Sequence, residues 1–161
     1  MWKKQIMYLK MFLIVVISIL IFVLLFGKEN LFIGLAAVIT VTTMFGEDYT
    51  INPIHHTLYF IGVELFVGLG AYFAGLNPIL GAIMTLIVSF FIYFAFTYDT
   101  KPTKALGFIQ LYLFLLYEPV TTSELPKRVF ALIFGGIVIM TLYYTLARYN
   151  FNNIFNKSIK G

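Results

Sequence analysis

The chain alternates long, unbroken apolar runs with short polar breaks. The first run, Met11–Phe26 (MFLIVVISILIFVLLF), follows Trp2, Lys3, Lys4 and Lys10. The second, Leu31–Phe45, carries Thr40, Thr42 and Thr43 toward its end. The third covers about Thr57–Gly75, and Asn77-Pro78 makes a tight turn into the fourth, about Pro78–Tyr98. Proline suits the first helical turn, where its missing N–H would have no partner in any case. The fifth run, Ala105–Tyr117, has 13 residues. At about 1.5 Å per residue it covers about 20 Å, short of a hydrocarbon core about 30 Å thick unless it extends through Pro102 or Val120. The sixth is about Arg128–Arg148, and a polar Asn/Lys-rich stretch follows. The expected fold is therefore all-α, a polytopic membrane protein of about six transmembrane helices. Residues 1–148 would form the six-helix domain and 149–161 a short polar cytoplasmic tail. A β-barrel would alternate polar and apolar residues along each strand, and these runs do not.

Composition sharpens the class. The 161 residues are 61% hydrophobic and only 11% charged, with a mean hydropathy of +0.94, whereas soluble domains carry about 25% charged residues. A soluble globule this short could not hide so much apolar surface. An ordinary cytosolic enzyme, a disordered tail and a nucleic-acid module are excluded. There are no cysteines, so disulfides, thiolate nucleophiles and cysteine-bound metals are excluded too. The net charge of +4 reads as positive loops flanking membrane helices, not as affinity for nucleic acid. The basic start is like a signal peptide, but no small-x-small site precedes Gly27-Lys28, so it reads as an uncleaved helix. With the N-terminus inside and six spans, eight Lys and Arg fall on the inside and three (Lys28, Lys127, Arg128) on the outside. That bias places both termini in the cytoplasm of a cell in whose plasma or inner membrane the chain sits.

Candidate chemistry is sparse. There is no Walker loop, no glycine-rich dinucleotide loop and no H-E-x-x-H, so no catalytic residue or cofactor is assigned and transport would run on an ion gradient or passively. The break Gly46–His56 holds Glu47, Asp48, His55 and His56. These lie at no recognised zinc spacing, and the segment reads as a helix-capping interfacial turn with no metal. Glu64 is the one acid inside a span. It lies about 10 Å into the third helix, where an ionised carboxylate must face a cavity, find a partner or stay protonated. Gly68, Ala71 and Gly75 fall on its helical face, and small residues let helices approach closely. Gly81, Thr85 and Ser89 form a matching stripe on the fourth span, Ala36, Thr40 and Thr43 one on the second. Gln110 is the only amide in the fifth run, and Gly135-Gly136 mark a close approach in the sixth. Tyr59 and Tyr143, with Tyr8, Tyr98 and Tyr149, read as interfacial belts. Phe90, Phe91, Phe94 and Phe96 read as lipid-facing or packing residues.

The order of these features resembles a known family. A basic start precedes a span ending in Gly-Lys-Glu-Asn, then a short Gly/Ala span and the turn GEDYTINPIHHTL. A glycine-rich third helix follows, then LNPILGAIMTLIVSFFIYFAFTYD, FIQLYLFLLYEPV and LPKRVFALIFGG. Over residues 1–148 this is similar to the membrane half of the fusaric acid resistance (FUSC-like) family, related to aromatic acid exporters. The resemblance implies a six-helix unit that pairs with another copy, as a homodimer or larger, to form a pathway for small organic anions. Glu64 would couple to protons or shape that path, and Gln110, Thr40, Thr43, Thr85 and Ser89 would line it. No Lys or Arg lies deep in a span, which leaves Lys10, Arg128 and the positive ends of helices to attract an anion. Gly68, Ala71, Gly75, Gly81, Gly135 and Gly136 would pack the helices. The rival reading is a non-transporting membrane scaffold, a subunit of a larger complex in which Glu64 is a structural pin. A membrane-embedded enzyme is the third, disfavoured because a single acid lies within the spans.

Overall fold

The computed structural model describes residues 2–44, 49, 51–97 and 103–159, with side chains at 9–10, 12–44, 49, 51–96 and 105–146. The described residues are all-α, with six α-helices: α1 (Trp2–Phe26), α2 (Leu31–Met44), α3 (Pro53–Ala74), α4 (Pro78–Thr97), α5 (Thr103–Tyr117) and α6 (Leu125–Ile159). Each apolar run became one helix. Among the described residues three helices are long and apolar enough to cross a membrane, over Pro53–Ala74, Pro78–Phe96 and Leu125–Leu146. The apolar stretches Phe12–Phe26 and Ala105–Tyr117 are shorter, and α2 has 14 residues. Beyond Arg148, α6 continues as helix through the stretch read as a tail, to Ile159.

Local chemistry sets the helix ends. Gly27 closes α1 with φ 85°, a left-handed conformation that glycine adopts without steric cost. A single 3-10 turn, Lys28–Asn30, then leads into α2. The Asn30 amide donates back to the Phe26 carbonyl at 2.8 Å, satisfying one of the open carbonyls at the helix end. Pro53 opens α3. Asn77 caps α4, its Oδ1 accepting the Leu80 N–H at 2.8 Å.

Four helices, α2, α3, α5 and α6, pack on one another at the centre. Helix α1 flanks α2 and α6, and α4 flanks α3 and α5. Exchanging α1, α2 and α3 for α4, α5 and α6 preserves which helices are neighbours but not how they pack: α1 lies chiefly on α2, whereas α4 lies chiefly on α3. Phe22 meets Phe134 where α1 touches α6, and Phe91 meets Phe66 where α4 touches α3. The two crossings that this exchange pairs with themselves, α3·α6 and α2·α5, are antiparallel. Gly68 faces Leu132 while Gly136 faces Ile61, and Gly107 faces Thr40 while Phe114 stacks on Phe32. The first three helices and the last three therefore run in opposite directions and interlock: α3 packs on α4, α5 and α6, and α6 on α1, α2 and α3.

A ladder of stacked rings fills one end of the core, Phe60 on Phe108 at 5.9 Å and Phe108 on Phe96 at 5.1 Å. Phe96 thus packs inside, while Phe90 and Phe94 face outward. Tyr143 is corrected from belt to core: it is 4% exposed, and its hydroxyl accepts the Tyr49 N–H at 3.2 Å. The outer surface is apolar on every side, with Leu24, Ile79, Leu86, Phe90 and Phe130 among its exposed side chains. Surface of that extent and kind fits membrane association, since water-soluble monomers keep apolar patches small.

Candidate functional site

Glu64 lies at the crossing of α3 and α6. Helix α3 turns it inward with Phe60, Val63, Val67, Gly68 and Ala71, all buried. Close approach of the two backbones makes the enclosure. A Cβ on Gly68 would overlap Leu132, and one on Gly136 would lie 2.5 Å from the Ile61 side chain. A Cβ on Gly135 would lie 2.5 Å from Glu64 Oε2 and 3.0 Å from Ile33 of α2. The carboxyl is 1% exposed. The Gly136 N–H donates toward it, and Oε2 has no hydrogen-bond partner among the described residues. A buried oxygen without a donor is costly when charged and much less so when it carries a proton. Among the described residues no group of three or more His, Asp or Glu stands there to hold a metal.

The second self-paired crossing holds a buried hydroxyl, that of Thr40. Gly107 of α5 presses on Thr40 of α2 so closely that a Cβ would overlap Oγ1. The Thr40 hydroxyl donates to Ala36 O at 2.9 Å and that of Thr43 to Thr40 O at 2.7 Å, so both return to their own helix. Ser18 of α1 instead donates across to Gly34 O of α2 at 3.1 Å.

Arg128 is 2% exposed and ties the loop end of the bundle together. Its Nε donates to Asn30 Oδ1 at 3.0 Å, one terminal nitrogen to Glu118 O at 2.7 Å and the other to Glu29 O at 2.5 Å. Two of these acceptors lie just past the C-terminal end of α5 and in the turn that follows α1, where open carbonyls attract a cation. Beside it, Glu124 accepts the N–H and hydroxyl of Thr121 at 3.1 and 2.9 Å. Those two bonds hold its carboxyl below the usual carboxylate range.

The remaining expected residues lie elsewhere. Thr85 and Ser89 sit on the outer side of α4, in an open groove of about 740 Å³ shared with Gly81, Phe90, Tyr93 and Ile109. Thr85 Oγ1 lies 2.7 Å from Gly81 O and 3.0 Å from the Tyr112 hydroxyl. Gln110 is exposed on the outward face of α5. The structure thus brings Glu64 together with Gly68, Ala71, Gly135 and Gly136, places Thr40 at the neighbouring crossing, and leaves Thr85, Ser89 and Gln110 outside. Gly75 is exposed at the end of α3, and Gly81 packs on the Ala74 carbonyl. Glu47 and Asp48 lie outside the described residues. His55 and His56 line a hollow of about 200 Å³ with Tyr49, Tyr59, Phe60 and Phe96.

Sequence reasoning missed Gly70, pressed on Val88, and Gly107. The signal for Gly107 was present, as it is the only glycine in α5. It also missed Asn30, whose role depends on Arg128, a residue 98 positions away. Comparison with protein families, curated proteins and solved structures found no match for this chain.

Proposed function

We propose that the protein is a six-span membrane transporter or channel that moves small organic anions, with Glu64 as the group that takes up and releases the coupling proton. One observation carries the reading: the one acid within the expected spans lies enclosed at the antiparallel crossing of α3 and α6, with an oxygen that lacks a donor among the described residues. Intramembrane acids are functional by default because their burial is costly. The anion class comes from the FUSC-like resemblance. In this reading the short helices α2 and α5 cross where the bilayer is locally thinned, the protein works as a homodimer or larger in the plasma or inner membrane, and both termini are cytoplasmic. Thr40 and Thr43 lie beside the path on α2.

The scaffold reading draws on the same enclosure, since a carboxyl so tightly covered by α6 also pins two helices. Purified protein in liposomes separates the two. Flux of an aromatic carboxylate that rises with an imposed pH gradient supports transport, and a tight vesicle with no flux of organic or inorganic anions at either pH overturns it.

A further inference from the structure

The outward face of α5 has the pattern of a helix–helix seam with no helix on it. Leu106, Leu113 and Tyr117 are 52%, 55% and 77% exposed, and Gln110 is exposed between them. Spacings of four, three and four put these residues on one stripe. They occupy successive d, a, d and a positions of a heptad, with leucine at both d positions and an amide at an a position. The opposite face, Phe108, Leu111 and Leu115, is fully committed to the bundle core.

Gln110 is what makes the stripe more than a lipid-facing surface. The exposed threonines on the other helices satisfy themselves, Thr42, Thr85, Thr141 and Thr145 donating to carbonyls of their own helix at 2.6 to 3.0 Å, whereas the small hydroxyl of Ser89 on α4 makes no hydrogen bond among the described residues. Gln110 makes no hydrogen bond among the described residues. It stands midway along α5, about 10 Å from either end, so its amide does not reach headgroups or interfacial water from a spanning α5. A carboxamide left bare in hydrocarbon costs several kcal/mol, and polar side chains in that position are the glue between membrane helices.

We propose that this face docks the same face of a second copy of the chain, with the two Gln110 amides hydrogen-bonded to each other across a two-fold axis normal to the membrane. The occupant follows from two facts. A carboxamide carries both a donor and an acceptor, so an identical amide satisfies it reciprocally. Copies inserted by the same topology also face the same way, so α5 meets its mate in parallel, and in a parallel seam position 110 lies opposite position 110. The inference rests on the membrane-spanning part of the proposed function and is independent of what, if anything, is transported.

The full chain in native membranes provides the test. The protein has no cysteine, so single cysteines can be placed at Leu106, Gln110 and Leu113, and as controls at Leu86 and Phe130, which are exposed on other helices. Oxidation is expected to give disulfide dimers of twice the chain mass at the three α5 positions well before the controls. Faster cross-linking at Leu86 or Phe130, no dimer at any α5 position, or adducts of another mass would overturn the proposal. The second arm compares dimer dissociation in detergent for Gln110→Leu and Gln110→Asn. In lipid-like surroundings Gln110→Leu is expected to weaken the dimer roughly threefold to fifteenfold, with Gln110→Asn near the parent. A leucine variant that dimerises as tightly as the parent removes the amide pair. Loss of anion flux with cross-linking intact strikes the transport reading alone, and lost cross-linking with flux intact strikes this one alone.

Discussion

The carboxyl of Glu64 rests on the backbone of Gly135: a methyl group at that position would sit 2.5 Å from Oε2. Glycine therefore sets the distance between α3 and α6 at the acid itself. Gly135→Ala is expected to lower stability by about 1–3 kcal/mol, the usual cost of overpacking a tight core, read as detergent-resistant folding on heating. In a Glu64→Ala background the same substitution is expected to cost less, because its main obstacle is gone. Additive losses in that double-mutant cycle would show that the two residues do not meet.

Glu64→Gln keeps the shape of the side chain but cannot exchange a proton at working pH. It is expected to leave folding intact and abolish the pH-gradient dependence of flux in liposomes. Glu64→Leu is expected to retain the fold as well, since among the described residues only the Gly136 N–H donates toward the carboxyl and Oε2 accepts no hydrogen bond. Parent-like flux and pH response in the amide variant would assign Glu64 to packing.

Two glycines give a matched pair for the α2·α5 crossing. Gly107→Ala drives a Cβ into Thr40, whereas Gly62 has open space around it. The first is expected to destabilise by about 1–3 kcal/mol. The second is expected to be neutral or to stabilise by up to about 1 kcal/mol, because alanine is the better helix former. Equal thermal shifts would contradict the packing described for α5.

Arg128 fans its donors over three acceptors in different segments, a spread that the compact ammonium of lysine does not match. Arg128→Lys and Arg128→Ala are both expected to destabilise, the second by about 3 kcal/mol, as buried acceptors lose their donor. Asn30→Leu should act in the same direction. Protease sensitivity of the loops at that end of the bundle, compared with the parent, provides a direct readout.

Orientation can be checked from the same cysteine-free background. Cysteine at Asn77 is expected to react with an impermeant thiol reagent in intact cells, and cysteine at Ser158 only after permeabilisation. The reverse result would invert the topology drawn from the Lys and Arg bias.

The amino-acid sequence determined the helices and most of their ends, because these depend on local chemistry. Continuous apolar runs of the observed lengths form helices, Gly27 supplies a left-handed stop, and Pro53 and Asn77-Pro78 start the next elements. It also determined that Glu64 turns inward, since the small residues at 68 and 71 share its face at helical spacing. The stripe of Gly81, Thr85 and Ser89 obeyed the same rule and points outward; Tyr143 looked like an interfacial residue and is core. Only the tertiary structure decided these. A helix that is apolar all round carries no amphipathic stripe to mark its buried side, and lipid is as apolar as a packed interior, so hydropathy does not separate the two. Arg128 illustrates the same limit from the polar side. Its charge was visible in the chain, but its acceptors, Glu29, Asn30 and Glu118, come from segments that meet only when the helices have packed.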